Sequence, residues 1–149
     1  MVTLELLDAL LSPNSNRRGD AESFFQSLPL LDRATGLAQQ IISSTNDAHG
    51  PYHLVSLAAV LLRRDILRIN EYQLVIQFVD PLLGVFLLAS MPHATRIAIG
   101  HCLAETCGSV ALLSPCPKDK EHVMERILAA ISNLVRLKSW SWSWRAYLP

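Results

Sequence analysis

Apolar residues recur at helical spacing along nearly the whole chain, and clusters of turn formers separate the runs. Leu4, Leu7 and Leu11 share one face, and Ser12-Pro13-Asn14 ends that segment. Residues 17–28 carry Ala21, Phe24, Phe25 and Leu28 at i, i+3, i+4 and i+7, and Pro29 follows. Asp32 is placed to cap a third helix that buries Ala34, Leu37, Ala38 and Ile41. Residues 45–51 form a loop rich in turn formers. A mostly apolar helix over 52–67 then closes on Arg63-Arg64-Asp65.

In the stretch 72–78, Tyr72, Leu74, Ile76 and Phe78 alternate with mostly polar neighbours, a pattern that taken alone describes a strand. A lone strand would leave its backbone groups unpaired, so helix or loop is the better expectation. Asp80-Pro81 makes a sound helix start, aspartate as N-cap and proline in the first turn. Met91-Pro92 ends that helix. Residues 94–110 bury Ile99, Cys102, Leu103 and Thr106, and Ser114-Pro115-Cys116-Pro117 turns the chain. A last helix over 121–137 has Val123, Ile127, Ala130, Ile131 and Leu134 inward. The expectation is all-α: seven short helices that are marginal alone and depend on packing their apolar faces together.

Three of these helices share one phase. Ala21, Ala58 and Ile99 each follow, by three residues, Arg18, Val55 and Arg96. The doublets Phe24-Phe25, Leu61-Leu62 and Cys102-Leu103 come next, and then Leu28, Asp65 and Thr106. The anchors are 37 and 41 residues apart, near the period of about 40 to 47 of HEAT repeats. Stacked helix pairs of that kind complete one another's core and leave a curved surface for a partner. An ordinary helical bundle is also compatible with the spacing.

Composition narrows the class. Half of the 149 residues are apolar and 17% are charged, too apolar for a disordered chain. Lysine plus arginine equals aspartate plus glutamate at 13 each, which gives no electrostatic reason to expect nucleic acid. Met1 to Asp8 holds Glu5 and Asp8 and no early basic residue, unlike a secretory signal. The longest apolar stretch, 81–91, falls short of the about 20 residues that span a bilayer. Three cysteines do not make a disulfide framework. These features lead us to expect a soluble intracellular protein, with no membrane partner.

The run Ala58-Ala59-Val60-Leu61-Leu62-Arg63-Arg64 resembles the signature in the N-terminal domain of importin-beta (karyopherin-beta) proteins. Residues 7–25, with Leu-Leu-Ser-Pro-Asn and then Arg18, Ala21 and Glu22, are similar to the opening of the same proteins, closest to the importin four and importin five branch. The likeness is good over 4–67 and weaker over 81–134. It implies a right-handed α-solenoid of about three and a half HEAT-type pairs over 1–137. It implies a nuclear transport receptor, present in cytoplasm and nucleus and without enzymatic activity or cofactor. Such receptors bind the small GTPase Ran in its GTP form near their N-terminus, carry import cargo and contact phenylalanine-glycine repeats of nucleoporins. The second helix of each pair lines the inner surface, here 17–28, 52–67 and 94–110. Three features depart from the pattern. Val55 stands where the family has arginine, the segment between Arg64 and Pro81 is short, and the resemblance stops after Leu137. A HEAT-repeat scaffold or adaptor unrelated to Ran is the alternative.

Candidate site residues follow from this. Arg63 and Arg64 are candidates to meet acidic groups on Ran. The simpler reading puts them in the last turn of a helix, where the dipole favours cations, or pairs them with Asp65 or a neighbouring repeat. Arg18 and Arg96 are expected to bridge adjacent repeats. His101, Cys102, Cys107 and Cys116 invite a zinc reading, but Cys102 and Cys107 point roughly 140° apart on a helix, and zinc sites favour closer cysteine pairs. Core cysteines are the better expectation. Residues 138–149 read as a divergent tail with Trp140, Trp142 and Trp144 and no fold of its own. With a last helix short of a partner, that tail leads us to expect self-association.

Overall fold

The computed structural model describes residues 1–46, 49–88 and 90–145, and side chains through residue 130 together with Ser132. Eight helices account for the regular structure, and no strand occurs among the described residues. They are α1 (Leu4–Leu10), α2 (Ser15–Ser27), α3 (Leu30–Ser44), α4 (Tyr52–Ile66), α5 (Tyr72–Ile76), α6 (Val79–Phe86), α7 (His93–Leu113) and α8 (Pro117–Arg145).

Local chemistry sets most of the boundaries. The Thr3 hydroxyl accepts from Leu6 N at the start of α1, and the Asn14 side chain accepts from Asn16 N and Arg17 N at the start of α2. These caps satisfy amides that no helical carbonyl can reach. Proline starts three more helices, standing immediately before α3, α4 and α7 as Pro29, Pro51 and Pro92. Asp32 is not the cap of α3 that its sequence position suggests. Pro29 opens that helix three residues before it would, and Asp32 sits in the first turn. Asp80 likewise lies in the first turn of α6, which begins one residue earlier, after Phe78. Either carboxylate still faces the positive end of its helix dipole.

The ambiguous stretch 72–78 is helical over Tyr72–Ile76, where Val75 is fully buried. α8 starts four residues before its expected position. Pro117 supplies its first turn, while the Ser114 hydroxyl accepts from Cys116 N and donates to the Asp119 carboxylate. The same helix runs through the boundary expected at 137/138 and on to Arg145. The side chains of Ile131 and Leu134, the three tryptophans, and residues 146–149 fall outside what is described.

One apolar core joins the helices. α1 packs on α2, α3 on α4, and α6 on α7, while α4 lies against α7 and α3 against α6. α5 and α8 both rest on α7. Gly36 lets the N-terminal segment close on α3, since a Cβ there would stand 3.0 Å from the Val2 Cβ. Val2 is accordingly 1% exposed.

The shared phase of α2, α4 and α7 is present in the packing. Ala21, Ala58 and Ile99 are all buried, as are Phe25, Leu62 and Leu103. The first member of each doublet behaves differently. Cys102 is buried, Leu61 is half-buried, and Phe24 is 50% exposed rather than enclosed as its position suggests. The neighbours explain the gradient. α7 is surrounded by α4, α5, α6 and α8, whereas α2 packs mainly against α1. One helical phase therefore buries two residues per turn in α7 and only one in α2.

Candidate interaction surface

The second helices of the three expected pairs, α2, α4 and α7, carry the candidate residues. α4 and α7 are tied at both ends. At one end the Ser56 hydroxyl donates to Thr95 Oγ1 over 3.0 Å, and Thr95 donates to the Tyr52 carbonyl. At the other, the Arg63 guanidinium donates to Glu105 Oε1 from Nη2 at 3.0 Å and from Nε at 3.3 Å. This half-exposed pair contributes little stability, up to about 1 kcal/mol. Its effect is positional, because it fixes the Arg63 side chain along the seam between the two helices.

Arg64 is held differently. It is exposed, and among the described residues no carboxylate or hydrogen-bond acceptor engages it. It stands at the rim of a furrow of about 240 Å³ between α1, α2 and α4. Leu10, Phe25, Leu57 and Leu61 supply the apolar walls, and Glu22 and Gln26 the rest of the polar rim. A shallow apolar floor with one unpaired cation at its edge suits a protein side chain followed by an acidic group.

Asp65 does not pair with either neighbouring arginine. Its carboxylate is fully buried and takes Arg33 from α3 in a two-pronged bond, Nε to Oδ2 at 3.0 Å and Nη2 to Oδ1 at 2.9 Å. The Arg33 side chain is 9% exposed, and its guanidinium lies 5.2 Å from the centre of the Phe25 ring. Three helices meet at this arginine: α2 through the ring, α3 through the chain itself and α4 through the carboxylate. Sequence reasoning missed it. The signal was Asp65 standing on the buried face of α4, 32 residues after an arginine on the buried face of α3.

Arg18 donates to the Ser12 carbonyl at 3.3 Å and approaches Glu22 at 3.9 Å, both within α1, α2 and their turn. Arg96 donates to the Leu88 carbonyl just ahead of its own helix. Neither reaches beyond the helix next to its own in sequence, whereas Arg63 of α4 meets Glu105 of α7, and Arg126 of α8 meets Asp80 of α6 at 2.8 Å. Val55, the departure from the family pattern, is 1% exposed, a place where an apolar side chain is at home and a lone cation is costly.

The cysteines sit in the core. Burial pushes the Cys102 thiol from 9.0 up to about 12, against a smaller opposing effect of its hydrogen bond with Thr106. Burial alone raises Cys107 to about 11. Both are protonated and poor nucleophiles at neutral pH. No group of three His, Cys, Asp or Glu stands close enough to hold a metal among the described residues. A titration with a thiol-reactive disulfide is expected to modify half-buried Cys116 first, with Cys102 and Cys107 reacting only as the fold opens. Because the folded values lie above the unfolded one, the stability tied to these thiols is complete below about pH 9 and is lost as pH rises toward 12. Fast reaction of all three thiols with unchanged far-ultraviolet dichroism would contradict the placement.

No family model, curated protein or solved structure matches this chain. No helix among the described residues is long and apolar enough to cross a membrane.

Proposed function

We propose that the chain is a helical-repeat binding segment of the importin-beta kind. It is a right-handed solenoid of HEAT-type pairs whose second helices, α2, α4 and α7, receive the GTP form of Ran. The side-by-side packing of α4 on α7 and of α3 on α6 carries this reading. Stacked pairs require that arrangement, and it is found between the α3–α4 and α6–α7 pairs, while the first pair meets α4 through α1. The link to Ran itself rests on the resemblance of residues 4–67. Within that stretch the contact falls to Arg64 rather than Arg63, since Glu105 already occupies Arg63. Import cargo and nucleoporin repeats are partners of a longer receptor of this kind, working between cytoplasm and nucleus. The role is recognition, without catalysis.

Discrimination between nucleotide states has a plain origin. The terminal phosphate orders the switch segments of a GTPase, and a surface fitted to the ordered form binds it better. Calorimetry is expected to give micromolar affinity for Ran-GTP, about −8 kcal/mol, and weaker binding of Ran-GDP. Arg64→Ala should weaken the first by about tenfold, the order of an interfacial charge, and Arg63→Ala by less. Equal binding of the two states, or none, would favour the scaffold reading. The Arg63–Glu105 tie between helices serves a scaffold equally well.

A further inference from the structure

The last turn of α4 carries Arg63, Arg64 and Asp65, and the packing directs each elsewhere. Arg63 meets Glu105 of α7, Arg64 stands at the rim of the furrow, and Asp65 is buried against Arg33 of α3. The buried pair adds little stability that an apolar pair would not, because lost solvation offsets most of the attraction between its charges. What an apolar pair lacks is direction. Leu62 and Ile66, fully buried in the same stretch of α4, hold it by contacts that fix no angle. The two-pronged bond, at 2.9 and 3.0 Å, fixes both distance and orientation.

Anchorage matters at this point because α4 ends at Ile66, and the carbonyls of a last turn lack helical partners. Arg64 precedes Asp65 in the chain, so the rotation that seats Asp65 on Arg33 also sets Arg64 about 100° round the helix, at the rim. Phe25 completes the link. It lines the furrow, and its ring lies 5.2 Å from the Arg33 guanidinium. We propose that Arg33 and Asp65, with Phe25, are positioning residues for recognition: their buried contact holds the last turn of α4 so that Arg64 meets an acidic group of the partner. The proposal rests on the reading of Arg64 as a contact with Ran.

Arg33→Met with Asp65→Leu keeps the burial and removes the direction. By calorimetry with Ran-GTP this double variant is expected to bind about fivefold more weakly than the parent chain, although far-ultraviolet dichroism shows it folded. In its background Arg64→Ala should cost less than about twofold, against about tenfold in the parent, because the arginine is no longer in place. Arg33→Lys keeps the charge and loses the fork, and it should show both changes to a smaller degree. Affinity equal to the parent's in these variants, or an Arg64→Ala effect of one size in every background, overturns the proposal. Hydrogen exchange needs no partner. The amides of Leu67 and Arg68 close the turn on the carbonyls of Arg63 and Asp65. They should exchange about tenfold faster in the double variant, while those in the middle of α7 keep their protection. Unchanged exchange at Leu67 and Arg68 overturns the proposal whether or not Ran binds. Faster exchange, in a protein whose parent form binds no Ran-GTP, supports the anchoring and overturns the Ran reading alone.

Discussion

Replacing Asp65 by alanine is expected to destabilise the fold by about 3 to 5 kcal/mol, the cost of breaking a buried ion pair and leaving one charge behind. Arg33 would keep its position 9% exposed, with no carboxylate for Nε and Nη2 and with only the Phe25 ring at 5.2 Å to stabilise it. That ring supplies about 1 to 2 kcal/mol at best, less than the loss. The effect should exceed that of Arg63→Ala severalfold, because the Arg63–Glu105 pair is half-exposed and water screens it. Replacing both partners, Arg33→Met with Asp65→Leu, removes the stranded charge and should recover most of the stability. Chemical denaturation of the three variants checks the order. Asp65→Ala as mild as Arg63→Ala would show that the pair is solvated and that α2, α3 and α4 are not joined through it.

How much of this was legible in the sequence depends on the distance over which each feature is determined. Helices α2 and α4 could be read from periodicity within two residues, and α3 and α7 within three, since their apolar positions repeat over several turns. The inward face of α3 is Ala34, Leu37, Ala38 and Ile41, as its spacing requires. Boundaries were less legible where two signals competed. Asp32 and Asp80 look like caps, but a chain that is already turning at Pro29 or Phe78 starts the helix sooner. The partner of Asp65 was not legible, because any of several arginines satisfies the local pattern and only the packing of α3 on α4 selects Arg33. The separation of Arg63 from Arg64 was hidden for the same reason. Adjacent residues on a helix point about 100° apart, and it takes the position of α7 to decide which one finds Glu105.

Phe25→Ala and Phe24→Ala should differ in stability by several kcal/mol although the residues are neighbours of the same type. Phe25 is 3% exposed, and removing an enclosed phenyl ring costs about 3 to 5 kcal/mol through lost burial and the cavity left behind. Its ring also lies against the Arg33 guanidinium, so the variant loosens the ion pair that joins three helices. Coupling between Phe25→Ala and Asp65→Ala should therefore appear in a double-mutant cycle, with the sum of the single effects departing from the double. Phe24 is 50% exposed, and its removal should stay within about 0.5 kcal/mol, the range of surface changes that touch no buried group. The contrast is sharper than either value, since helix propensity changes equally at both positions and cancels in the difference. It tests the gradient of enclosure from α2 to α7 directly. If α2 were covered by a further helix as α7 is, Phe24 would be buried as Cys102 is, and the two alanine variants would unfold at similar denaturant concentrations.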